Sequence, residues 1–139
     1  MLIKDDDGKA IHNNPRKLLV FLKHQTRYQL ATENKTIPVA EEKNSCLEDP
    51  LAEADGIKIN KGILTLELSY FMSCGGWERP QHAYTFRWQN NDFQLIGFNY
   101  NSFSRNSGEM TNKSYNFSTS KLKEIIGDNM FEGGIPKTK

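Results

Sequence analysis

Two cysteines and a histidine are the first residues in the chain that could do chemistry. Cys74 stands in Cys74-Gly75-Gly76-Trp77, and His82 follows a few positions on. A neighbouring imidazolium lowers a thiol's pKa, so Cys74 with His82 could form a thiolate nucleophile. In papain-like enzymes the Trp directly follows the Cys, and here two glycines intervene. Cys46 lies in Asn44-Ser45-Cys46-Leu47-Glu48-Asp49-Pro50. Neither cysteine belongs to a Cys-x-x-Cys pair, which removes the zinc and thioredoxin-type readings. Both sit in turn chemistry rather than in apolar runs, where unpaired structural cysteines usually lie. The spacing therefore reads as a Cys46–Cys74 disulfide between loops, with two free thiols as the alternative. A bridge would imply an oxidising compartment such as a periplasm.

The acidic stretch Asp5-Asp6-Asp7-Gly8-Lys9 could supply oxygen ligands. Asp5 and Asp7 before Gly8 match the middle of a calcium loop, where a glycine makes the sharp turn. The first ligand position falls on Ile3, and Asn14 stands where a bidentate Glu is needed. A solvated turn is the favoured reading, and no metal or other cofactor is expected. The nine serines include none in a G-x-S-x-G elbow. Carboxylate pairs such as Asp49 with Glu53 are what any acidic loop supplies. No catalytic constellation emerges, so the chain leans away from being an enzyme.

Two loops have a different character. Residues 75–81 and 99–108 both carry aromatic and Arg residues, set among Asn and Ser in the second. Aromatics supply contact area, while Asn and Ser supply adaptable hydrogen bonds. Trp77, Arg79, Phe103 and Arg105 are the expected contacts for a protein partner or cell-envelope component. Arg79, Arg87 and Arg105 lie among aromatics, as in sheets that stack bases. However, Tyr84, Phe86 and Trp88 share one face at period two, which is core patterning. With 18 Lys+Arg against 17 Asp+Glu, the charge of +1 excludes a nucleic-acid binder working by bulk charge. With 13 Asn and 17 Ser and Thr a couple of sequons are expected by chance, so those at Asn34, Asn112 and Asn116 carry no inference.

The elements that must position these residues are strands. A chain of 139 residues with 15 aromatics makes one globular domain, residues 1–139, and leaves no room for two cores. Ile63 to Met72 alternates, with Leu64, Leu66, Leu68, Tyr70 and Met72 on one face and Thr65, Glu67 and Ser69 on the other. His82 to Gln89 repeats the pattern. Asn90-Asn91-Asp92 turns it into a return strand, Phe93 to Tyr100, because Asn and Asp tolerate left-handed backbone. Upstream, Leu18 to Lys23 and Tyr28 to Ala31 read as strand, turn and strand, with Lys35 to Val39 extending the second. Ile57 to Ile59 and the turn Asn60-Lys61-Gly62 lead into Ile63. Downstream, Met110 to Phe117 is a strand.

Leu122 to Ile126 is ambiguous between a final strand and a short helix capped by Ser120. Strand is favoured because every neighbour is strand. Residues 128–139 read as a frayed tail. Together the elements predict an all-β fold, an antiparallel meander that curls into a barrel or a sandwich. The longest apolar run, Leu18 to Leu22, is too short to span a membrane. Residues 1–16 carry no secretory signal pattern, so the chain reads as a mature or C-terminal portion.

Several phrases also carry a resemblance. They are Asn14-Pro15-Arg16 before Leu18 to Leu22, Asp49-Pro50, Gly62-Ile63-Leu64, Cys74-Gly75-Gly76-Trp77, and Tyr84-Thr85-Phe86-Arg87. Phe93-Gln94-Leu95-Ile96-Gly97 and Tyr115-Asn116-Phe117-Ser118-Thr119 complete the set. In this order they resemble exported bacterial β-rich proteins of the hypothetical-protein or lipoprotein type. In such proteins an Asp-Gly loop similar to those of integrin-like repeats precedes a β-rich C-terminal part. The resemblance covers most of residues 5–120 and implies export and β structure. It implies no activity and brings no catalytic residue. Ile3 departs from the loop pattern.

The expectation is a non-enzymatic, periplasmic or otherwise exported β-domain that binds a protein partner or envelope component, of which an immunity or inhibitor protein is one version. The alternatives are a small hydrolase using Cys74 and His82, and a calcium-dependent structural module using Asp5 and Asp7.

Overall fold

Alternating side chains and left-handed turn residues produce nine strands in the computed structural model, which describes residues 16–37, 46, 48–51, 56–129 and 137–138. The strands are β1 (Arg16–His24), β2 (Arg27–Ile37), β3 (Ile57–Asn60), β4 (Ile63–Ser69), β5 (Gln81–Gln89), β6 (Asp92–Phe103), β7 (Glu109–Asn116), β8 (Lys121–Asn129) and β9 (Lys137–Thr138). All pairings are antiparallel. β3 to β9 form one sheet in chain order, and β1 and β2 form a separate hairpin.

The turns explain the register. Asn90 and Asn91 both adopt positive φ, 53° and 59°, between the paired residues Gln89 and Asp92. A two-residue loop left-handed at both positions matches the right-handed twist of its flanking strands. Lys61 (φ 48°) and Gly62 (φ 78°) do the same between β3 and β4. The β5–β6 hairpin carries a bulge between Thr85 and Phe86.

The inner face of the sheet follows from β4. Leu64, Leu66 and Leu68 are buried, and the register places Phe86, Tyr84 and His82 beside them on β5. Ile37, Leu66 and Leu68 form the core cluster, with Leu18, Leu51, Tyr70 and Tyr84 packed against it. Leu18 and Ile37 come from the β1–β2 hairpin, which therefore lies on the sheet as a second, smaller layer. Burying one such side chain contributes about 1.5–3 kcal/mol.

The fold is all-β and antiparallel, as the alternation predicts, and it decides two points that the sequence left open. The main sheet is open, with β3 at one edge and β9 at the other, so it does not close into a barrel. Leu122 to Ile126 belongs to β8, where Leu122 pairs with Tyr115 and Ile126 with Thr111, and no helix occurs among the described residues. The cross-strand ladder with β7 outweighs the capping potential of Ser120, which takes a left-handed turn position (φ 52°) instead. β8 runs on to Asn129, and Lys137–Thr138 pair with Ile126 and Ile125. β4 stops at Ser69, short of the expected Met72. Tyr70 N–H still donates to the Pro80 carbonyl at 2.9 Å, and the chain turns at residues 73–75. Pro38 and Val39, expected to extend β2, lie outside the described residues.

Beyond β3, the edge of β4 and the segment after it are met by Cys46, residues 48–51 and Gly56. Glu67 N–H donates to Gly56 O and Ser69 N–H to Pro50 O, each at 2.8 Å, and Ser73 N–H donates to Cys46 O at 2.8 Å. Asp49 pins this segment to the hairpin. It accepts from Arg16 Nη1 at 2.7 Å and from Leu51 N–H at 3.0 Å. Arg16 holds the Asp49 carboxyl below its usual pKa, against partial burial, with the Leu51 N–H adding to the effect.

Candidate binding site at the Trp77 end of the sheet

The segment after β4 and the loop after β6 meet at one end of the sheet. Glu78 and Ser104 form an isolated antiparallel bridge. Arg79 N–H donates to Phe103 O at 3.0 Å, and Arg105 N–H donates to Trp77 O at 2.8 Å. The Arg105 guanidinium also reaches the Gly76 carbonyl. Below them, Ser102 Oγ donates to Glu78 Oε2 at 2.8 Å. Ser102 and Ser104 are both buried. The backbone from Gly76 to Arg79 is therefore held along its length by residues 103–105.

The disulfide holds the base of the same segment. Cys46 and Cys74 are bridged, with Cα atoms 5.1 Å apart. The bridge joins the edge-covering segment to the turn that precedes Trp77. It also consumes the sulfur on which the hydrolase alternative depends: Cys74 has no thiol to ionise while the bridge is intact.

The four expected contact residues divide between the two faces of this end. Arg79, Phe103 and Arg105 gather around Phe71. The Arg79 guanidinium lies 4.5 Å from the Phe71 ring centroid and 5.9 Å from that of Phe103, and the Arg105 guanidinium lies 5.0 Å from the Phe71 centroid. Two cations on one ring are attracted by its quadrupole, each by about 0.5–1 kcal/mol at an exposed site. Trp77 goes to the other side. Its side chain is 60% exposed and lines a groove of about 750 Å³ with Tyr70, Met72, Pro80 and His82, while Glu78, Ser104 and Asn106 supply polar groups.

His82 sits in the floor of this groove within a ring cluster. Its centroid lies 5.1 Å from Tyr70, 5.4 Å from Tyr100, 5.6 Å from Phe98 and 6.4 Å from Tyr84. Burial among these rings pushes its pKa below the usual histidine value, because the charged form is poorly solvated there. Burial, and then the neighbouring Tyr84, raise the Tyr70 hydroxyl. Burial thus favours the uncharged form of the imidazole, which lies among aromatic rings in the groove's floor.

Sequence reasoning missed Phe71, Met72, Glu78 and Asn106. Phe71 and Met72 were hidden in the alternating run assigned to β4. Glu78 and Asn106 join the groove through pairings between distant segments, for which the chain carries no local signal. The calcium candidates Asp5 and Asp7, and Glu53 of the carboxylate pair, lie outside the described residues. Among the described residues, no group of three His, Cys, Asp or Glu could hold a metal ion, and no helix is long and apolar enough to cross a membrane. Set beside known proteins, the chain matches no family model, no curated protein and no solved structure.

Proposed function

We propose that this chain is a non-enzymatic, exported β-domain that binds a protein partner or a cell-envelope component through the groove at Trp77. An immunity or inhibitor protein is one concrete form of that role. The observation that carries the reading is the state of Trp77. A large aromatic side chain stands mostly in solvent, yet its backbone is fixed to the neighbouring loop. Interfaces draw much of their affinity from rigid, central aromatic anchors. An anchor that is ordered before binding loses little conformational entropy when the partner arrives.

The surroundings suit the same role. Met72, Tyr70 and His82 offer apolar surface beside the indole, and Glu78, Ser104 and Asn106 offer hydrogen-bonding groups. Arg79 and Arg105 extend the polar part of the same end. The disulfide supports an oxidising location, in keeping with export. Affinity capture from cell-envelope extracts tests the reading, using wild type and Trp77→Ala side by side. It predicts a component retained by the wild type and lost with Trp77→Ala. Equal recovery on both proteins, or turnover of a generic hydrolase substrate that depends on His82, would count against it.

A further inference from the structure

The β1–β2 hairpin has a second face that the core does not use. Leu18, Val20 and Leu22 point toward the sheet and are wholly or partly buried, while Leu19 and Phe21 alternate outward. The register continues this outer face onto β2, pairing Phe21 with Leu30 and Lys23 with Tyr28. The result is an apolar stripe of Leu19, Phe21, Leu30 and Tyr28, which are 43%, 50%, 47% and 69% exposed. Isolated exposed apolar residues are ordinary, but four contiguous ones on a two-stranded ribbon are not.

The charge around the stripe is mostly positive, with one acid, Glu33, opposite Leu19 in the register. Residues 16–37 hold five of the chain's 18 Lys and Arg and one of its 17 Asp and Glu. Lys17 flanks the stripe at one end, and Lys23 and Arg27 flank it at the turn. The single acid, Glu33, lies 3.2 Å from Lys17 and 3.3 Å from Lys35, and these two lysines hold its carboxyl below the usual pKa. The hairpin thus presents apolar and aromatic side chains framed by long cationic ones. That combination partitions into the headgroup boundary of a bilayer, where rings and aliphatic chains enter the interface and lysines and arginines stay at the anionic surface. A protein partner would need a complementary acidic rim around an apolar cleft. A bilayer of anionic lipid supplies both over any area.

We propose that the outer face of the β1–β2 hairpin docks peripherally on an anionic lipid surface, inserting Phe21, Leu19, Leu30 and Tyr28 at headgroup depth. The docking is independent of the Trp77 groove and leaves that end of the sheet free.

The test is co-sedimentation of the full chain with phosphatidylcholine vesicles, with and without phosphatidylglycerol. Binding is expected only with phosphatidylglycerol and is expected to weaken as salt rises. Phe21→Ser should lower the partition coefficient about tenfold, since one inserted ring is lost. Lys23→Glu should lower it about tenfold or more, because it reverses a charge at the surface. Leu19→Ser provides a second apolar deletion if Phe21→Ser misfolds. Leu122→Ser removes an exposed leucine elsewhere on the sheet and should bind like wild type. Absence of binding to anionic vesicles would overturn the proposal. So would equal binding to both vesicle types, which would mean that the cations contribute nothing. A concentration-dependent dimer abolished by Phe21→Ser would also overturn it, by assigning the face to a second copy of the chain.

Discussion

The backbone N–H of Arg105 donates to the carbonyl oxygen of Trp77 at 2.8 Å. This bond ties the loop after β6 to the segment after β4, and it fixes the stem of the most exposed large hydrophobic side chain at that end. Glu78 and Ser104 continue the contact one residue further along as a β-bridge. Trp77 is thus part of an ordered structure although its indole lies mostly in solvent.

The disulfide should account for a large part of the stability. A Cys46–Cys74 bridge with a sequence separation of 28 restricts the unfolded chain. The loop-entropy estimate for that separation is roughly 3–4 kcal/mol. Cys74→Ser with Cys46→Ser should lower the denaturation free energy by about that amount, measured by urea unfolding. Peptide mapping of protein made in an oxidising compartment should recover the linked Cys46 and Cys74 peptides, and two alkylatable thiols would contradict the assignment.

Leu68 is 3% exposed and lies in the core cluster between the hairpin and the sheet. Leu68→Ala should cost about 2–5 kcal/mol. Trp77→Ala should change stability by less than about 0.5 kcal/mol, as surface substitutions usually do. Thermal unfolding of the two variants separates a core role from a surface role.

The Asn90-Asn91 turn offers a stabilising change. Both residues hold left-handed backbone, and glycine adopts that conformation without a Cβ penalty. Asn-Gly is among the favoured pairs for such a loop. Asn91→Gly should raise stability by a few tenths of a kcal/mol, visible as a small increase in Tm. A loss of several degrees would show that the turn is not left-handed at Asn91.

His82 gives the protein a pH dependence with a defined sign. Its folded pKa lies below the ordinary value of 6.5 because burial disfavours the imidazolium. Between the folded value and 6.5 the unfolded chain binds more protons at this site than the folded chain. Stability from this group is therefore full above 6.5 and is lost as the pH falls through that window. His82→Phe should flatten the dependence when unfolding is measured across mildly acidic pH. Asp49 acts with the same sign at lower pH. Its carboxyl is held down by Arg16, so its contribution declines below the ordinary value of 3.8. The pair is partly exposed, and solvent screening keeps that contribution modest.

The sheet was legible wherever side chains alternate and turn residues interrupt them. Leu64, Leu66 and Leu68 revealed β4, and Asn90-Asn91 revealed the β5–β6 hairpin, because period two and left-handed turn chemistry are local properties. Cys46 and Cys74 were legible because both stand in polar turns. The detachment of β1 and β2 from the main sheet was not legible. A long segment separates Ile37 from Ile57, and nothing local states whether β2 and β3 pair. Leu122 to Ile126 stayed ambiguous because a short apolar run fits either period, and pairing with β7 decides it. The groove was hidden because Met72, Glu78 and Asn106 meet only through long-range backbone contacts.

The most direct measurement of the central claim is calorimetric titration of a component purified from the envelope fraction that the wild-type protein retains. Wild type and Trp77→Ala are titrated against it under identical conditions. The binding reading predicts that Trp77→Ala loses about 2 kcal/mol or more of affinity, roughly thirty-fold in Kd, as expected for an aromatic anchor, with its Tm unchanged. Equal affinities for the two proteins would contradict the assignment of the Trp77 groove as the binding site.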